Sequence, residues 1–160
     1  MLSETELIPA RGTDTVEILE NDHQTIKGLL KRLTAAADMS ERKATLEQLK
    51  GVLTVHNATE ENIVYPAIEK LARDEREAEH LYHETAEADV VLFELDSLLN
   101  EGHEASFIAK AEKFREAVLH HIENEEGSAF PHLRENTDAR QSKNLTQSVR
   151  TFRESLHFKP

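Results

Sequence analysis

The sequence predicts an all-α protein: an antiparallel up-down four-helix bundle with a short fifth C-terminal helix. Three observations carry this expectation. Long stretches repeat apolar residues at alternating three- and four-residue spacings, the signature of a helix with one buried seam. Five Gly and four Pro in 160 residues leave little punctuation, which favours long helices over many short strands. The links between the stretches are short, which favours antiparallel neighbours.

Residues 1–13 read as a polar tail, 14–133 as the bundle, and 134–160 as a C-terminal helix packed on its outside. The first helix is expected to start with Asp14 as N-cap and Glu17 three residues later, an acidic variant of the capping box. Its seam is Val16, Leu19, His23, Ile26, Leu30, Leu33. The second, capped by Ser40, carries Leu46, Leu49, Leu53, His56, Glu60, Ile63 and Ala67. The third spans roughly 74–99, and its inner face is read as His80, His83, Ala86, Val90 and Phe93. Asn100-Glu101-Gly102 supplies its C-terminal stop. The fourth carries Phe107, Ala111, Phe114, Val118, His121, Glu125 and Ser128. Past Pro131, the amphipathic set Leu145, Val149, Phe152, Leu156 makes the fifth.

One motif occurs twice. His56, Glu60, Glu61, Pro66 and His121, Glu125, Glu126, Pro131 share the pattern His-x3-Glu-Glu-x4-Pro, with Tyr65 or Phe130 before the proline. Residues four apart on a helix lie about 40° apart around its axis, so each copy aims an imidazole and a carboxylate the same way. An isolated His-x3-Glu is usually a surface ion pair worth a few tenths of a kcal/mol. Here both copies replace seam positions, and His23 occupies another. An unpaired buried carboxylate costs several kcal/mol even after relaxation, and the inner stripe of the four helices holds no Lys or Arg. A metal pair resolves the conflict.

Ligand chemistry narrows the choice. Imidazole suits Zn, Cu, Fe and Ni, whereas carboxylates shift preference toward hard ions. Zinc usually takes four ligands and this constellation offers six or seven, so two iron ions fit best, with di-manganese or mixed Fe/Mn as alternatives. Glu61 and Glu126 rotate away from the clamps, either solvated or orienting a ligand histidine. His120 lies about 100° around the helix from His121 and reads as peripheral. His103, His132 and His157 are expected near loops or termini and exposed, and Pro66 and Pro131 are expected to bend or end their helices beyond the site.

The order His23, His56-x3-Glu60, His80/His83, His121-x3-Glu125 resembles the hemerythrin family, specifically its HHE cation-binding domains, over about residues 14–133. The resemblance implies a non-haem di-iron centre bridged by Glu60 and Glu125. His23 and His56 would serve one iron; His83, His121 and, less favoured, His80 the other. This sequence has His80-x2-His83 where oxygen-carrying hemerythrins have His-x3-His, and His-x3-Glu on the fourth helix where they have His-x4-Asp. These departures argue against plain reversible oxygen carriage. Tyr65 or Tyr82 supplies a phenolic oxygen if one histidine falls short.

The expected function is therefore a di-iron protein that binds or turns over O2, H2O2 or NO, as in oxidative or nitrosative stress defence. A peroxidase- or catalase-like, or NO-peroxide, activity is one form of this. The alternative is an iron sensor or store without catalysis, and a plain helical adaptor is the bland reading. A net charge of −12 argues against a nucleic-acid partner. No run approaches the roughly 18 apolar residues of a membrane span. Zero Cys and an acidic N-terminus without an apolar stretch fit a soluble cytoplasmic protein. The expected partner is a small diatomic or peroxide ligand; the residues identify no electron donor and no protein partner.

Overall fold

The computed structural model describes residues 10–156. Most of the expected N-terminal tail and His157 lie outside them. Among the described residues the chain is entirely helical and linked by turns, with no strand.

Helix α1 spans Thr15–Ala35, and Asp14 caps it by accepting from the Glu17 backbone N–H, as its capping box predicts. Helix α2 spans Met39–Thr59. Its cap is Asp38, accepting from Glu41 N–H, rather than the expected Ser40. Both are good caps, but only Asp38 has the extended backbone a cap requires. Helix α4 (Glu75–Asn100) is capped by Asp74. It ends where Gly102 adopts φ 76°, with Gly102 N–H bonded to Leu99 O and His103 N–H to Leu98 O, a Schellman closure that needs glycine's left-handed freedom.

Neither motif proline ends its helix. Helix α2 runs through the π-helical turn π1 (Glu60–Val64) into α3 (Tyr65–Leu71). Helix α5 (Glu104–Asn124) likewise runs through π2 (Glu125–Ala129) into α6 (Phe130–Glu135). A proline inside a helix has no N–H and its ring presses on the carbonyl four residues back. The turn before each proline widens instead: Tyr65 N–H bonds to Glu60 O, and Phe130 N–H to Glu125 O. The extra residue rotates the succeeding turn about the helix axis. Val64 and Tyr65 are buried instead of the expected Ile63, and Ala129 and Phe130 instead of Ser128.

The seam of α4 also differs from expectation. Val90 and Phe93 are 59% and 73% exposed, and Ala86 faces out. The buried positions are Ala78, Leu81, Thr85, Leu92 and Leu95, with Ala88 and Leu99 packed against the core. That set is spaced 3, 4, 3, 4, 3, 4 and is the more apolar of the two stripes, so the hydrophobic effect selects it.

Helix α1 packs on α2 and α5, α2 on α4, and α4 on α5. One apolar cluster, with Leu30, Leu49, Leu95 and Phe107, fills the space on one side of the motif residues. A second, with Leu19, Tyr65, Ile68, Leu81 and Phe130, fills the other side. Helix α7 (Ala139–Leu156) lies against α1, α2 and π1, and buries Thr146, Val149 and Arg153. No helix among the described residues is long and apolar enough to cross a membrane.

Candidate metal centre

Between these clusters, ligand atoms of His23, His56, Glu60 and Glu125 all come within 4.8 Å of one another, and all four residues are buried. α1 contributes His23, the last turn of α2 His56, and the first residues of π1 and π2 the two glutamates.

Each histidine is oriented by a carboxylate. His23 Nδ1 meets Glu126 Oε1 at 2.8 Å, His56 Nδ1 meets Asp22 Oδ2 at 3.1 Å, and His121 Nδ1 meets Glu84 Oε2 at 2.6 Å. A carboxylate only accepts, so the proton sits on Nδ1 in all three, and every Nε2 is left to point inward. His56 Nε2 lies 3.1 Å from Glu60 Oε1; His23 Nε2 and His121 Nε2 each lie 3.2 Å from a Glu125 oxygen. Carboxylate–histidine pairs of this kind fix the ring and raise its basicity as a metal ligand.

Polar satisfaction is incomplete where a cation would sit. With the imidazoles in the neutral form a metal requires, His23 Nε2, Glu60 Oε1 and Glu125 Oε2 are buried and have no hydrogen-bond partner. Tyr65 Oη adds to the frustration. It lies 2.9 Å from Glu60 Oε2, 2.9 Å from Glu125 Oε1 and 3.2 Å from Thr85 Oγ1, yet it has one proton to give. Buried polar groups of native proteins are normally paired, so this donor set fits a multivalent cation.

The electrostatics agree. Burial disfavours a charged His56, but the Glu60 carboxylate and the bond to Asp22 outweigh it and raise its pKa to about 10. Burial likewise opposes a charged His121, and Glu125 overcomes it, raising His121 to about 9. Burial alone would raise Glu125; the neighbouring His121 and His23 hold it well below the usual carboxylate range. Burial, then the Glu60 and Glu125 charges, push the Tyr65 phenol well above its ordinary value. The metal-free cluster thus stores protons on histidine edges that a metal would displace.

The structure brings together His23, His56, Glu60, Glu125 and His121. It does not bring His80 or His83 to them. The His80 side chain is 54% exposed against Glu84, and that of His83 is 72% exposed against Glu87. Both lie on the outer side of α4 because its seam runs through Leu81 and Thr85. Tyr82 is also removed, donating to Glu61 O at 2.9 Å. His103 is exposed as expected, whereas His132 is partly covered and lies 3.1 Å from Ala72 O. The orienting role offered for Glu126 matches its contact with His23.

Sequence reasoning does not reveal Asp22, Glu84, Thr85 and Arg153 as site residues. Asp22 and Glu84 each precede the seam residue that enters the site, a signal available once the α4 register is right. Arg153 is a basic residue that does reach the core, entering from α7. A cleft of about 600 Å3, lined by Leu53, Thr85, Ala88, Phe114, Val118 and Ile122, extends to His56 and His121.

Comparison with known proteins gives the same direction. The sequence profile of the hemerythrin HHE cation-binding domain matches residues 14–133. An uncharacterised hemerythrin-like protein of Schizosaccharomyces pombe is 24% identical over 156 residues, covering 96% of this chain and 74% of that protein. A protein of Nostoc sp. named DNA nickase is 23% identical over 126 residues, covering 79% of this chain but 35% of the relative. No solved structure matches the chain with significance. With His23, the His56–Glu60 clamp and Glu125 in one buried cluster, His121 at the edge of that cluster beside Glu125, and three quarters of its length matched, the chain belongs to the hemerythrin HHE cation-binding family.

Proposed function

We propose that the chain holds two iron ions in this cluster and uses them to react with small neutral oxidants: O2, hydrogen peroxide or nitric oxide. The observation that carries this reading is the set of three carboxylate-backed histidines, each turning Nε2 toward two buried glutamates. His23 and His56 would hold one ion and His121 the other, with the Glu60 and Glu125 carboxylates available to both. Tyr65 Oη, beside both glutamates and 3.3 Å from His121 Nε2, completes the second set. The short links 36–38, 72–74 and 101–103 support an antiparallel up-down arrangement of the four long helices around the centre.

Bound iron supplies the electrons for oxidant reduction or binding. The chain's own residues control approach and protons. The cleft gives a small solute a path to the His56 and His121 edges, while Phe114, Val118 and Ile122 keep its walls apolar. Glu84, Glu87 and Glu94 along the same cleft disfavour anions, which leaves neutral oxidants. Tyr65 Oη holds one proton between the two glutamates, and this proton would pass to one of those carboxylates if the phenolate oxygen were to hold a metal ion. The lack of cysteine accords with a reducing cytoplasm. A net charge of −12 supplies no reason to carry DNA nicking over from the Nostoc relative.

The test is anaerobic mixing of Fe(II)-loaded protein with O2, H2O2 and NO in turn, followed by optical spectra and oxidant consumption. The expected result is a spectral change with at least one oxidant that depends on Glu60 and Glu125. Unchanged spectra with all three would defeat the proposal.

A further inference from the structure

Helix α7 lies beyond the residues that match the family, yet it sends a charged side chain into the core. Arg153 is 3% exposed. Its guanidinium forks onto Asp22, with Nη1 3.1 Å from Oδ1 and Nη2 bonded to Oδ2, and its Nε donates to Thr59 Oγ1 at 3.1 Å. Asp22 Oδ2 is the acceptor for His56 Nδ1–H, and Thr59 immediately precedes Glu60. One guanidinium therefore braces the support of two metal-site residues.

The other two supporting carboxylates have no such brace. The side chains of Glu84 and Glu126 are 16% and 29% exposed, so water solvates them, and Lys27 stands 3.4 Å from Glu126. Asp22 is 2% exposed. A carboxylate that deep needs a fixed cation, and the planar fork of arginine also dictates its orientation. Two further contacts fix α7 in place: Thr146 Oγ1 lies 3.1 Å from Thr15 Oγ1, and Arg150 donates to Ala10 O at 2.8 Å and Gly12 O at 2.6 Å.

We propose that Arg153 is a positioning residue of the metal centre, so that α7 docking and metal occupancy are energetically coupled. This rests on metal binding at the His/Glu cluster. The coupling is reciprocal: whatever factor docked α7 adds to metal affinity, bound metal adds to the docking of α7.

The experiment uses the full chain and anaerobic Fe(II). Affinity is read by chelator competition, and α7 docking by amide hydrogen exchange. Arg153→Met should weaken Fe(II) binding by about 10–100-fold, as loss of an outer partner typically does, and Arg153→Lys should recover part of it. In an Asp22→Asn background, Arg153→Met should add less than a further twofold, because Arg153 acts through Asp22. That double variant leaves no buried charge unpaired, so it keeps the test usable if Arg153→Met alone misfolds. Fe(II) should slow exchange of α7 amides in the parent chain. Equal Fe(II) affinity in the parent and the folded double variant, or α7 exchange unaffected by Fe(II) in the parent, would overturn the proposal. A parent chain that takes up no Fe(II) would instead overturn the metal reading beneath it.

Discussion

Thr85 occupies in the second half of the molecule the place that His23 occupies in the first. Each directly follows the carboxylate that backs a motif histidine: Asp22 behind His56, and Glu84 behind His121. Each also meets the aromatic that precedes a motif proline. Phe130 stacks on His23 at 5.7 Å and 10°, and Tyr65 Oη lies 3.2 Å from Thr85 Oγ1. The internal repeat therefore ends in an asymmetric centre, with imidazole on one side and a phenol–hydroxyl pair on the other.

If the cluster holds two ions as proposed, that asymmetry makes Tyr65 the residue on which the second would depend. Tyr65→Phe should lower iron from two to about one per chain and remove any visible phenolate-to-Fe(III) absorption. Thr85→His should restore the second ion in that background. Metal analysis with optical spectra checks both, and full double occupancy in Tyr65→Phe would reject the phenol as a ligand.

The glutamates and their neighbours should separate cleanly. Glu60→Ala and Glu125→Ala should each lose iron, since both carboxylates are fully buried in the cluster. Glu126→Ala, which frees His23 Nδ1, should weaken iron by about 10–100-fold. Glu61→Ala should change it little. Iron content after dialysis against a weak chelator ranks the four.

His80→Ala and His83→Ala should retain iron, because both side chains are more than half exposed and pair within α4. Surface pairs of this kind contribute about 0–1 kcal/mol, so melting temperatures should barely move. Iron loss in either variant would show that the α4 register is not the one described.

Acidity gives opposite signs for the apo and loaded forms. His56 at about 10 and His121 at about 9 have pKa values raised above 6.5 in the folded, metal-free chain. Their protonation stabilises the fold fully below pH 6.5, and that contribution fades as pH rises through 9 and 10. Chelated protein should therefore lose thermal stability from pH 7 to 10. Metal must displace these protons, so Fe(II) affinity should rise over the same window and binding at pH 7 should release protons. Melting scans and a weakly buffered titration test the two halves separately.

The helical class, both clamps and His23 are legible in the sequence because acids and imidazoles interrupt otherwise apolar 3-4 seams. The α4 face is not, because His80 and His83 compete for attention with Leu81, Leu92, Leu95 and Leu99. A threonine at a site position carries no metal signature, so Thr85 gives no local signal. The prolines signal a disturbance, but only the backbone shows that it is absorbed by wide turns, and those turns carry Tyr65 inward. The pairing of Arg153 with Asp22 depends on how α7 docks, which no local pattern encodes.

The most direct measurement is an anomalous difference map, collected at the iron edge, from crystals grown with Fe(II). Two peaks are expected beside Glu60 and Glu125, one within ligand distance of His23 and His56 and the other near His121 and Tyr65. Density confined to His80 and His83, or none among the buried glutamates, would contradict a di-iron centre in this cluster.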